Sequence, residues 1–103
     1  MNANIELMSM DFSQVDQVSH QLKVLANADR LKILCVLIDQ ELNVQQIEKQ
    51  TKINQPTLSQ QLTVLRKAEM VSTRREGKQI YYQLADPKAL VIMQTLYQLY
   101  CAS

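Results

Sequence analysis

The chain has 103 residues, 47% of them hydrophobic, and a formal net charge of +1; it can bury one core but not build a deep catalytic cleft together with its scaffold. One glycine and two prolines leave little room for loops or a multi-stranded sheet, which favours a mainly α fold with a small β-hairpin. No apolar run reaches the roughly 18 residues of a membrane helix, and residues 1–6 lack the basic and apolar regions of a secretory signal, so a cytoplasmic protein is expected.

The small net charge hides an asymmetry. Residues 44–82 carry seven basic side chains against three acidic ones, a local +4, and the remainder therefore carries −3. Phosphate contact needs only a local positive face, so the balance does not exclude a nucleic-acid partner. Two cysteines in a reducing compartment read as thiols rather than a permanent bridge.

A single domain is expected over residues 1–103, with 1–11 as an N-terminal extension. Met8, Phe12, Val15, Val18, Leu22 and Leu25 recur at helical spacing and predict an amphipathic helix over 12–25. His20, the only histidine, has no second ligand beside it and reads as a solvated side chain. A second helix is expected over 29–39, with Asp29 near its start; Leu31, Ile33, Leu34, Cys35, Val36, Leu37 and Ile38 make it apolar almost all round, hence central and buried.

Asn43 is a natural N-cap for a short helix over 44–52, with Val44, Ile47 and Gln50 turned inward. After a tight turn at 51–54 comes a helix over 54–66, with Pro56 in its first turn and Leu58, Leu62 and Leu65 on one buried face. Its other face carries Gln55, Thr57, Ser59, Gln60 and Thr63, uncharged hydrogen-bonding groups suited to base edges in a major groove. The pair reads as a helix-turn-helix.

Two β-prone runs, 70–75 and 79–84, flank Glu76-Gly77-Lys78, where the only glycine supplies the positive φ of a hairpin. Arg74, Arg75 and Lys78 concentrate charge at the tip of this β-wing, where phosphate contact is expected. Asp86-Pro87 starts a last helix too apolar for a solvent-facing terminus. Its expected cover is the same helix of a second subunit together with the first helix, a two-fold dimer setting two reading helices roughly 34 Å apart on a near-palindromic operator. The tyrosines Tyr81, Tyr82, Tyr97 and Tyr100 read as packing residues.

This order of elements, with Arg30-Leu31-Lys32-Ile33-Leu34, Gln55-Pro56-Thr57-Leu58-Ser59-Gln60-Gln61-Leu62 and Arg74-Arg75-Glu76-Gly77-Lys78-Gln79-Ile80-Tyr81-Tyr82, resembles the ArsR/SmtB family of bacterial repressors over residues 12–101. The resemblance implies a homodimeric winged helix-turn-helix repressor that leaves double-stranded operator DNA when an inducer is sensed. It adds Gln61, at a position where the family often has His, to the expected DNA-binding set. Lys52 and Glu69 stand where the family commonly has Gly, which predicts strained turns at both. The family's metal ligands are missing at 41–45 and along 90–103, so no metal or other cofactor is expected.

Cys35 and Cys101 instead resemble the pair of the sulfide- and persulfide-responsive SqrR/BigR branch, in which two such cysteines form a disulfide or polysulfide bridge. That implies reactive sulfur species as inducer. A direct disulfide needs Cα atoms about 4.4 to 6.8 Å apart, and a longer sulfur chain spans more. Sensing of a metal or general oxidant by the same fold, no inducer at all, or a winged-helix module for protein contact are the alternatives. An enzyme is not expected, because no nucleophile-base pair, phosphate loop or spaced carboxylate pair is present.

Overall fold

The computed structural model describes residues 11–101. A 3₁₀ turn at Phe12–Gln14 leads into α1 (Val15–Leu25), followed by α2 (Ala28–Val36), β1 (Leu42–Asn43), α3 (Val44–Thr51), α4 (Thr57–Lys67), β2 (Val71–Glu76), β3 (Gln79–Leu84) and α5 (Pro87–Tyr100). Met8, the first residue of the expected apolar recurrence, lies outside the described residues.

Local chemistry fixes most of these boundaries. Asn27 Oδ1 accepts from the Arg30 N–H at 3.0 Å and caps α2. Asn43 and Gln46 cap α3 reciprocally, each side chain accepting the other's backbone N–H at 2.9 Å, which satisfies two donors that the first turn leaves open. Asp86 accepts from the Lys88 N–H at 2.9 Å with Pro87 at the first helical position of α5.

The core lies where α2, α3 and α4 meet under the sheet. Ile33, Leu34, Leu37, Ile47, Leu58, Leu65 and Met70 are its most deeply buried large side chains. The apolar stripe of α1 does not join them: only Val24 and Leu25 are buried, whereas Phe12 is 76% and Leu22 54% exposed. Along α5, Ala89 and Met93 face the core while Val91 and Leu99 are 60% and 69% exposed.

Four expectations are corrected. The second helix ends at Val36 rather than Asp39. Gln40 Nε2 donates to the Val36 carbonyl at 2.8 Å, closing the helix end while the chain turns to feed Leu42 into the sheet. Nor is that helix buried all round, since Lys32 and Cys35 are exposed. In α3, Gln50 faces out and Thr51 takes the inward position, its hydroxyl donating to the Ile47 carbonyl at 2.7 Å and accepting from the Ile53 N–H at 3.3 Å. The tyrosines divide: Tyr82 packs against the core, whereas Tyr97 and Tyr100 are exposed in the single chain.

The hairpin forms as expected, with Gly77 at φ +62° and β2 antiparallel to β3 from Val71↔Leu84 to Glu76↔Gln79. It gains a third strand that the sequence reading did not contain. Leu42 and Asn43 pair with Tyr82 and Tyr81, giving the order β1-β3-β2 and tying the wing to the start of α3. Both turns expected to be strained are left-handed at non-glycine residues, Lys52 at φ 63° and Glu69 at φ 61°.

Candidate nucleic-acid interface and thiol groove

The helix-turn-helix consists of α3, a turn through Lys52 and α4. Leu58, Leu62 and Leu65 anchor α4 in the core, leaving Ser59, Gln60 and Thr63 outward. Gln55 lies just ahead of the helix, and its Oε1 accepts from both the Ser59 N–H at 3.0 Å and the Ser59 hydroxyl at 2.7 Å. Pro56 occupies the capping position one residue before the helix rather than its first turn. The Thr63 hydroxyl donates to the Ser59 carbonyl at 2.9 Å. Gln60 makes no side-chain hydrogen bond among the described residues and is free to approach a base edge.

Thr57 and Gln61 sit differently. They lie four residues apart on the flank of α4 and are half-buried. Gln61 Oε1 accepts from Arg30 Nη1 at 2.8 Å, so this side chain fastens α4 to α2. Arg30 also donates from Nε to the Val24 carbonyl at 2.6 Å and from Nη2 to the Lys23 carbonyl at 3.3 Å, binding the end of α1 into the same joint. Sequence reasoning did not assign Arg30 this role, because its partners are distant or backbone. It also passed over Arg66, exposed and in line with Ser59 and Thr63 at spacings of four and three, a signal that was legible.

In the wing, the charges expected at one tip divide between two faces, as neighbouring residues on a strand must. Arg74 stands opposite Tyr81, with its guanidinium 4.7 Å from the ring centroid. Its Nε lies 2.9 and 2.8 Å from the Glu41 carboxylate oxygens and its Nη2 2.8 Å from Glu41 Oε1. Nη1 lies 2.8 Å from Glu76 Oε2. These two carboxylates hold Arg74 protonated well above its ordinary range. Arg75 and Lys78 are exposed and in no ion pair among the described residues.

On another face, between α2 and α5, Cys35 and Cys101 line a common groove of about 560 Å³. Leu31, Val36, Met93, Leu96, Tyr97 and Tyr100 make its wall apolar, and Lys32 is the only charged residue lining it. Both cysteines are free thiols. Partial desolvation raises the Cys35 pKa above the ordinary thiol range, and the neighbouring Cys101 adds to the rise. Cys101 closes α5, its N–H donating to the Tyr97 carbonyl at 2.8 Å.

A helix-turn-helix with an uncharged polar reading face, flanked by a basic wing, defines a regulator that binds DNA. The chain belongs to the arsR family of bacterial regulatory proteins, whose family model matches residues 27–73. It is 46% identical over 98 residues to the biofilm growth-associated repressor of Agrobacterium fabrum, covering 95% of this chain and 83% of the relative. The crystal structure of the transcriptional repressor BigR from Xylella fastidiosa superposes with a TM-score of 0.82 at 43% identity, covering 87% of this chain and 92% of that one. The homodimeric winged helix-turn-helix domain of Mb0332 from Mycobacterium bovis, a possible ArsR-family regulator, gives a TM-score of 0.73 at 34% identity, over 82% and 79% of the two chains. This protein is a transcriptional repressor of the ArsR/BigR type and not an enzyme. Among the described residues, no helix is long and apolar enough to cross a membrane.

Proposed function

We propose that the repressor acts as a homodimer whose grip on a near-palindromic operator is switched by sulfur chemistry at Cys35 and Cys101. The observation that carries the switch is the groove itself: two free thiols, separated by most of the chain, line one apolar cleft between α2 and α5. The apolar faces of α1 and α5, open to solvent in the protomer, support the dimer, as does the homodimeric Mb0332 domain. In the DNA-bound state Ser59, Gln60 and Thr63, aided by Gln55, read base edges. Arg75 and Lys78 hold phosphates. Gln61 supports the reading helix from its flank through Arg30.

In the switching chemistry the organic persulfide is itself the two-electron oxidant. A thiolate of the pair attacks the outer sulfur of an organic persulfide, RS⁻ leaves, and the cysteine becomes a persulfide. The second thiolate then attacks the cysteine's own sulfur, HS⁻ leaves, and a disulfide remains; the sulfane sulfur has been reduced while two thiols are oxidised. A second persulfide molecule, reacting before closure, yields a longer polysulfide that spans a wider gap. Tying α5 to α2 alters the position of the dimer helices relative to α4. A coupling of about 1 to 3 kcal/mol lowers operator affinity roughly 5- to 150-fold.

Titrating operator DNA with reduced and persulfide-treated protein tests this reading, with mass spectrometry in parallel. Weaker binding in the wild type, a sulfur-bridged product by mass, and no response from Cys35→Ser are expected. Equal operator affinity before and after treatment overturns the switch, and a response to peroxide or metal alone assigns it to a different input.

A further inference from the structure

Arg74 and Arg75 adjoin in sequence, yet their settings oppose each other. Arg75 projects from the face opposite to that of Arg74 and meets no carboxylate. Arg74 lies on the face it shares with Tyr81 and Glu76, and reaches across the sheet to Glu41, just ahead of β1. One cation there faces two carboxylates, so this face of the wing presents a net negative charge to an approaching phosphate. Moving Arg74 onto DNA would break a two-pronged contact with Glu41, a single one with Glu76 and the stacking on Tyr81. It would also leave both carboxylates uncompensated beside the backbone. A lone exposed ion pair would yield readily; here one guanidinium is fixed on three sides at once, with two-pronged geometry on one of them.

We propose that Glu41 is an affinity-setting residue of this repressor: it keeps Arg74 off the DNA, so that the wing binds phosphates through Arg75 and Lys78 alone. The inference rests on the wing contacting DNA, as argued under the proposed function. Glu41 acts through Arg74 and is a positioning residue. It joins the segment after α2 to the wing, so the same contact also sets the angle at which the wing leaves the body.

The experiment is a double-mutant cycle on the full chain, reading binding to a labelled mixed-sequence duplex by fluorescence anisotropy across a salt series. Glu41→Gln removes the charge and keeps the shape, releasing Arg74 toward phosphate. The expected result is a salt dependence steeper by about 0.9 per protomer, equivalent to roughly 3.5-fold more affinity lost between about 50 and 200 mM salt. The same substitution made in an Arg74→Ala background leaves the slope where that background has it. An unchanged slope after Glu41→Gln, or an equal steepening with and without Arg74, overturns the proposal, because the latter is only the removal of a negative charge. Arg75→Ala is the control for the reading beneath it. A slope flattened by about 0.9 keeps the wing on DNA and makes the cycle decisive for Glu41, whereas no flattening removes the wing from the interface and the proposal with it. Thermal unfolding of each variant confirms that the fold is kept.

Discussion

At the scale of single residues, the setting of Cys35 is the most informative. Its thiol is pushed up first by desolvation and then by the nearby Cys101, so at neutral pH the nucleophilic thiolate is scarcer than at an ordinary exposed cysteine. Alkylation of Cys35 by iodoacetamide therefore accelerates with pH at values above those of a free thiol. Cys101→Ser removes the smaller of the two causes, and the pH-rate profile is expected to move toward lower pH without reaching that of a free cysteine. A profile unmoved by Cys101→Ser would show that the two sulfurs do not sense each other. The presence of two cysteines was legible in the sequence. The exposure of Cys35 was not, because Leu31, Ile33, Leu34, Val36, Leu37 and Ile38 surround it in the chain and only the packing decides which of these point inward.

At the scale of elements, the helix starts that carry a capping side chain were readable, whereas the end of α2 was not. Asn43 and Asp86 announce their helices through local side-chain hydrogen bonds, which need no distant partner. The end of α2 depends on Gln40 closing onto Val36 and on Leu42 joining β3, and strand pairing across 40 residues leaves no mark in a local window. The two left-handed turns yield a quantitative prediction. A non-glycine residue in this region costs roughly 1 to 2 kcal/mol, partly offset in glycine by the greater freedom of its unfolded chain. Lys52→Gly, in the turn between α3 and α4, is thus expected to stabilise the protein by about 0.5 to 1 kcal/mol. Denaturant unfolding reads this as a higher midpoint at constant slope; a lower midpoint would mean that the Lys52 side chain contributes more than its backbone strain removes.

At the scale of the whole molecule, the stripes of α1 and α5 are the main unsatisfied feature. Phe12, Val15, Val18, Leu22, Val91 and Leu99 all remain substantially exposed in the protomer, and such surface is characteristically covered by another chain. In a two-fold dimer each substitution acts twice. Val91→Glu is expected to remove about 3 to 6 kcal/mol of association energy if both copies of Val91 are buried, enough to turn a micromolar dimer into a monomer in sedimentation velocity. Operator affinity falls with it, since one reading helix loses the benefit of the other. A variant that still sediments as a dimer would move the interface away from this part of α5.

The order of helices, the cap residues, the alternation of the wing and the polar face of α4 follow from the sequence, because periodicity and turn chemistry act over a few neighbouring residues. The tertiary structure alone decided that Gln61 meets Arg30, that Arg74 turns to Glu41 and Glu76, and that two cysteines 66 positions apart open into one groove. Each of these is a meeting of side chains carried by different elements. Their chemistry is set by what faces them across the packed molecule, and local spacing holds no record of that.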